Sequence, residues 1–379
     1  MVLSFFRRKE DSESSARSQT PEGASVSTKD TSTSGISSSS NNSSGSVDGG
    51  DGGPKLTKRQ IPFEEPVNPS TTPPKFDLTE EQEKLYRQLL EHYQDYITRD
   101  IVVNDSHNAA THPITEEELA WLTKECFLRY LRASKWKLDT AIRRLHETIV
   151  WRRTFGVVNI PNVSDPKKLI TADLVSHENE TGKQLIVGYD NDNRPCLYLR
   201  NGYQNTSGGI GQVQHLVFML ERVIHYMPPG TDNLALLIDF KGAPPEMKLS
   251  SKFPSISTTQ QCLHILQSHY PERLGRGLFT NIPLIGQAFF KVAGPFIDPY
   301  TRSKTIYDQP FANFVPAEQL DKEFSGLMDF EYVHDIYWPV MNEIADRKFK
   351  LYMDNFRRLG SRIGLSEYDL RRNPTNVAA

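Results

Sequence analysis

The sequence predicts an α/β fold: a mainly parallel sheet with helices on it, preceded by a smaller helical subdomain. Three observations carry this. From Leu185 onward the runs LIVGY, CLYLR, LALLIDF, GLFTN and KTIYD are short and almost continuously apolar, as strands buried on both faces require. Helical patterns stand between several of them, Gln212 to Met227 and Thr258 to His269, which is the alternation of βαβ units. Ahead of the runs, apolar residues recur at helical rather than strand spacing.

Taken in order, residues 1–75 are rich in Ser, Thr, Gly, Asp and Pro and poor in large apolar side chains (SGISSSSNNSSGSVDGGDGG, PVNPSTTPPK). Too little surface can be buried to offset chain entropy, so a disordered tail is expected there. Residues 76–157 read as the helical subdomain. Thr79 with Gln82 forms a capping-box pattern before Leu85, Leu89 and Tyr93, and Thr115 with Glu118 opens a second helix, ELAWLTKECFLRYLRASKW. A third helix follows Asp139, with Leu138, Ala141, Ile142, Leu145 and Ile149 on one stripe and Arg143, Arg144, Arg152 and Arg153 off it. Residues 158–333 hold the strands and their crossover helices. Residues 334–379 read as a C-terminal helix and tail, the helix stopped by Gly360 and carrying Pro339 near its start.

Composition removes several classes of function. A net charge of -3, with no block of Lys and Arg, gives no bulk attraction to nucleic acid. Cys126, Cys196 and Cys262 stand far apart in apolar contexts, which suits reduced core thiols. The opening MVLSFFRRK is too short an apolar run for a signal peptide, Val2 does not suit myristoylation, and no run of eighteen apolar residues exists to span a membrane.

The chemistry concentrates between Ser268 and Asp308. A carboxylate, Glu272, sits in the turn Tyr270-Pro271-Glu272-Arg273, and Thr301 and Lys304 lie one helical turn apart. Between these polar ends, Ile282 to Phe296 is too apolar for an ordinary surface helix. Carboxylate, hydroxyl and ammonium around an apolar lid suit an amphiphilic ligand. The competing reading of Glu272 is an ion pair with Arg273 or Arg276.

Two fragments imitate a short-chain dehydrogenase: Ser207-Gly208-Gly209-Ile210-Gly211 between a strand and a helix, and Tyr300 with Lys304. The phosphate-loop spacing fails, because position 214 is Gln where the third glycine belongs. No G-x-S-x-G nucleophile, H-E-x-x-H or Cys/His cluster occurs.

The blocks FLRYLRASKWKLDTAIRRLHETIVWRRTFG, NRPCLYLR, LLIDFKG, HYPERLGRG and FIDPYTRSK resemble, in order and spacing, the signatures of the CRAL-TRIO family. QVQHLVFMLERVIHYMPPG and TNIP are similar to its fungal phosphatidylinositol transfer branch associated with pleiotropic drug (azole) resistance. The resemblance implies a lipid-binding domain whose sheet floors an apolar pocket, with Ile282 to Phe296 as gating helix. It implies no enzyme activity and no cofactor. The implied partners are phosphatidylinositol, membrane surfaces touched transiently (endoplasmic reticulum, lipid droplets or plasma membrane, from the cytoplasm) and a second hydrophobic ligand; a sterol as main cargo is the alternative.

The family's headgroup site falls on Lys135, Glu272, Thr301 and Lys304: the lysines neutralise phosphate, Thr301 donates to it, and Glu272 accepts from inositol hydroxyls. Ser134 stands where the family founder has an arginine, which removes one cation. The family's choline-lipid contacts, two tyrosines and two hydroxyls, align on Ile186, Leu197, Leu234 and Leu236, all apolar here, so phosphatidylcholine transfer is not expected. Phe289 and Phe290 complete the expected pocket wall.

Overall fold

The chain meets its first tertiary partner where the tail was expected. In the computed structural model, which describes residues 55–70, 72–102, 110–245, 255–284 and 299–374, strand β1 (Thr57–Arg59) pairs in parallel with a strand near the far end of the chain, Thr57 opposite Met328 and Arg59 opposite Phe330. Pro62 and Pro66 are buried, and Phe63 packs on the main core. Residues 57–66 are therefore a docked strap and not the unstructured segment expected. The local reason is the apolar Ile61-Pro62-Phe63, which composition averaged over a long window hides. Residues 1–54 lie outside the described residues.

The helical subdomain is built from locally encoded elements. Helix α1 (Glu80–Tyr96) opens on the reciprocal Thr79 and Gln82 capping box and buries Leu89 and Tyr93 completely. Two short strands that pair antiparallel, β2 (Ile101–Val102) and β3 (Thr111–His112), follow. The single second helix expected is instead two, α2 (Glu116–Trp121) and α3 (Lys124–Ala133). Thr123 breaks it: its hydroxyl accepts from the Cys126 amide at 3.0 Å, while Lys124 N–H donates to Leu365 O and Gly364 N–H to Leu122 O. The C-terminal segment thus takes up backbone groups that a continuous helix would have used.

Helix α4 (Leu138–Thr154) closes the layer with Ala141, Leu145 and Ile149 inward. Two of its off-stripe arginines, Arg152 and Arg153, are buried rather than solvated. Arg153 is buried, forks onto Glu118 at 2.6 and 2.8 Å and donates to the carbonyls of Ile101, His112 and Pro113. Arg152 forks onto Glu221. A buried guanidinium is tolerated when paired and fully bonded, as here.

After the short helix α5 (Ala172–Val175) come β4 (Gln184–Tyr189), β5 (Pro195–Gly202), α6 (Ile210–Tyr226), β6 (Leu234–Gly242), α7 (Ile256–His269), β7 (Leu274–Thr280), α8 (Pro299–Ser303) and β8 (Thr305–Tyr307). The sheet order is β4-β5-β6-β7-β8, antiparallel at its first pair and parallel at the other three. The crossovers from β5 to β6 and from β6 to β7 carry α6 and α7, which pack on each other. Part of the sheet lies under the segment that leads to β9 (Met328–Phe330), where Tyr198 stacks on Phe324 at 6.3 Å.

Helix α9 (His334–Arg358) lies along α6, with Tyr226 Oη donating to Met341 O and His225 stacked on Phe349. The final helix, α10 (Glu367–Arg371), sends Glu367 under the helical subdomain. The free edge of β4 is closed by three distant groups. Tyr337 Oη bonds both the amide and the carbonyl of Ile186, Phe63 N–H donates to Val187 O, and Tyr189 N–H donates to Gln319. An open strand edge is a pairing hazard, and this one is covered by the strap and the C-terminal elements together. The three thiols are free, two of them buried.

Candidate functional site

Two helix C-termini converge on the polar site. Helix α3 ends at Ala133, and Ser134 N–H still donates back to Tyr130 O and Leu131 O. Lys135 and Trp136 then take successive left-handed conformations, φ 52° and 58°, and the Lys135 side chain is exposed. On the other side α7 ends at His269, and the turn through Pro271 holds Glu272 at φ 58°. Left-handed backbone is sparsely populated by residues other than glycine and persists only where surroundings enforce it.

Those surroundings are visible. Tyr270 Oη donates to Glu221 at 2.6 Å, and Arg273 donates to Asp232 O at 2.7 Å and reaches Glu367 at 3.5 Å. Burial alone would raise the Glu221 carboxyl; Arg152 and Tyr270 reverse that and hold it at about 2. Burial would likewise raise Glu367, yet Arg273, Arg129 and Arg371 hold it well below the usual carboxylate range.

Glu272 is paired, and with neither of the arginines weighed from sequence. Arg132 Nε donates to its Oε2 at 2.5 Å, while Arg273 turns into the buried network and Arg276 reaches Asp192 at 3.1 Å. The partner lies 140 positions away, beyond any local pattern. This ion pair joins the α3 arm, which carries Lys135, to the turn before β7. Lys304 joins the same turn from the third side: its Nζ donates to Leu274 O at 2.7 Å and sits 4.0 Å from the Tyr300 ring centroid, and its carbonyl accepts from Gly277 N–H. Thr301 O accepts from Lys304 N–H at 3.1 Å, which fixes the Thr301 to Lys304 turn. Lys304 thus reaches the start of β7, Thr301 precedes it by one turn, Glu272 stands two residues before that strand, and Arg132 ties the α3 arm that carries Lys135 to the Glu272 turn.

The apolar positions form a row. Ile186 pairs with Leu197, Leu197 with Leu236, and Leu236 with Gly277, so all share one sheet face, with Leu234 one pleat away. Ile186, Leu197 and Leu234 are buried and Leu236 is half-buried. Ile238 and Phe279, in the same alternation along β6 and β7, are also half-buried. This is apolar surface that the described residues do not fully cover. Phe289, Phe290 and most of Ile282 to Phe296 lie outside the described residues. A cavity of about 330 Å³, which sequence reasoning did not anticipate, lies on the opposite face, lined by Leu185, Tyr198, Arg200, Asp239 and Phe330 among others.

The lysine of the dehydrogenase-like fragment is otherwise engaged, and the glycine loop is not a phosphate loop by its spacing. The Lys304 ammonium lies over the Tyr300 ring, and Gly209 begins α6 with no side-chain cap. Among the described residues no cluster of three His, Cys, Asp or Glu could hold a metal, and no helix is long and apolar enough to cross a membrane.

A helical subdomain feeding a parallel-rich sheet, with apolar residues on one face and a polar cluster where β7 begins, defines a class of binding domain. Residues 179–326 match the CRAL/TRIO domain and residues 85–147 the CRAL/TRIO N-terminal domain. The chain belongs to the CRAL-TRIO family. It is 43% identical over 299 residues to the phosphatidylinositol transfer protein PDR17 of Saccharomyces cerevisiae, covering 78% of this chain and 84% of that protein. It is also 43% identical over 311 residues to a CRAL-TRIO domain-containing protein of Schizosaccharomyces pombe, covering 82% of this chain and 29% of that longer protein. The SEC14 cytosolic factor of Candida glabrata is more distant, 26% identical over 226 residues, 54% of this chain and 71% of the factor.

Proposed function

We propose that this protein is a phosphatidylinositol transfer protein: it takes the lipid from one membrane, shields its acyl chains in an apolar pocket floored by the sheet, and releases it at another. The observation that carries the reading is the identity to a phosphatidylinositol transfer protein along 84% of that protein's length. The chemistry supports it. Lys135 and Lys304 supply positive charge for a phosphodiester, Thr301 a hydroxyl donor, and Glu272 an acceptor for inositol hydroxyls. Burying acyl chains at roughly 0.8 kcal/mol per methylene offsets their removal from the bilayer, and no covalent step is required.

The Glu272 contact with Arg132 refines this picture. A carboxylate already paired keeps acceptor capacity on its second oxygen, and Arg132, a third exposed, restores a guanidinium near the place where Ser134 removes one. Phosphatidylcholine is not carried in this reading. A choline phosphate against Ile186, Leu197, Leu234 and Leu236 would lose its hydration without gaining partners, at a cost of several kcal/mol. The same apolar wall favours a sterol or another hydrophobic second ligand.

Transfer of labelled phosphatidylinositol and phosphatidylcholine between vesicles, measured side by side, tests the reading. Phosphatidylinositol should move and phosphatidylcholine should not, and Glu272→Ala with Lys304→Ala should abolish transfer in a chain that still melts cooperatively, though lower for loss of the Arg132 and Leu274 contacts. Comparable rates for the two lipids would refute the selectivity. Undiminished transfer by the double variant would refute the site.

A further inference from the structure

We infer that Arg144, a half-buried residue of α4 with no place in the expected headgroup site, is the positioning residue that fixes the spacing between the two arms of that site. One of its guanidinium nitrogens donates to Ala133 O and the other to Gln267 O, both at 2.8 Å. Ala133 is the last residue of α3, two before Lys135, and Gln267 lies in the last turn of α7, five before Glu272. One rigid fork therefore spans the arm that carries Lys135 and the arm that carries Glu272.

The physical need for such a group is specific. Both bonded carbonyls belong to helix C-termini, where unpaired carbonyls and the macrodipole concentrate partial negative charge. Two such ends repel each other, and together they oppose an anionic phosphate beside Lys135. A cation bonded to both removes the repulsion and shields the phosphate from it. The arms also carry the left-handed residues Lys135, Trp136 and Glu272, which need an external constraint to persist. The scaffold behind Arg144 is stiff. Thr148 Oγ1 lies 3.0 Å from His269 Nδ1, and the Trp151 ring stacks on His269 at 4.2 Å and 4°. Arg144 contacts no reacting or binding group, so it acts through Lys135 and Glu272.

This inference rests on the headgroup reading above, and its test separates the two. Equilibrium binding of fluorescent phosphatidylinositol, and of a fluorescent diacylglycerol with the same chains, is measured for the full chain, for Arg144→Met and for Arg144→Lys, with melting temperatures alongside. Arg144→Met should weaken phosphatidylinositol by about tenfold and change diacylglycerol by less than about twofold, since only the first lipid has a headgroup to misplace. Arg144→Lys keeps the charge but cannot fork to both carbonyls, and should recover part of the loss. If Arg144→Met melts too low to assay, the Lys variant decides by the same ratio. Equal weakening of both lipids, or of neither, overturns the inference. A natural chain with no preference for phosphatidylinositol over diacylglycerol would instead overturn the headgroup reading. Preference lost in Glu272→Ala with Lys304→Ala but kept in Arg144→Met would overturn the inference alone.

Discussion

Removal of the strap should destabilise the whole fold. A chain beginning at Phe76, compared with one beginning at Gly53, loses the β1 to β9 pairing, the buried Pro62 and Pro66, and the packing of Phe63. It also loses the partners of groups that stay buried. Gln319, 4% exposed, donates to Glu65 O, and Tyr189 Oη donates to Glu64 O at 2.6 Å. Tyr189 keeps a second acceptor in Tyr226 O, but the Gln319 amide does not keep Glu65. The ion pairs of Glu64 with Arg347 and Glu65 with Lys348 involve largely exposed glutamates and add little. Burial of a Phe-sized side chain contributes roughly 1.5–3 kcal/mol, and an orphaned buried amide costs roughly 1–3 kcal/mol. A loss of about 2 kcal/mol is expected from the orphaned amide, a fall in melting temperature on the order of 3 °C for a domain of this size. Calorimetry on the two chains, with hydrogen exchange of the β4 amides as a local probe, measures it. Melting temperatures agreeing within about a degree, with β4 protection unchanged, would show that the strap only rests on the surface.

Glu367→Gln removes the counter-charge shared by Arg129, Arg273 and Arg371; it should cost about 3 kcal/mol, read as a lower urea midpoint at unchanged slope, and a loss below about 1 kcal/mol would show that Asp232 suffices for Arg129. His269 is depressed to about 3 by burial, then by His264 and Arg152. Its folded form therefore binds fewer protons than the unfolded chain, so its stabilisation is complete above about pH 6.5 and is lost as pH falls toward 3, at most about 1.4 kcal/mol per pH unit before solvent screening. His269→Phe keeps the stack on Trp151 and should flatten that slope; parallel melting curves from pH 7 to 4 would count against it.

Much of the architecture is legible because it is locally encoded. The capping boxes at Thr79 and Thr115 need only residues three apart, and both form. The apolar runs from Leu185 to Tyr307 need only their own continuity, and all five become strands of one sheet. What escapes local reading depends on distant partners. Thr123 splits a helix with help from Leu365, and Arg152 and Arg153 look like surface charges until Glu221 and Glu118 reach them. The site divides the same way. Glu272, Thr301 and Lys304 can be proposed from neighbouring blocks of sequence, whereas the Arg132 partner and the Arg144 bridge arise only when α3, α4 and α7 meet.

The closure of the β4 edge also sets a timetable for folding. Its three covering groups, Phe63, Gln319 and Tyr337, leave the ribosome far apart in time, and Thr57 finds its strand partner only when Met328 exists, 271 residues later. Loop closure of that length is entropically expensive and comes late. While the chain is being made, the strap has nothing to pair with and the β4 edge is open to other chains. The fold is therefore completed only once β9 and α9 have emerged, and its most aggregation-exposed interval lies between the emergence of β4 and the docking of α9.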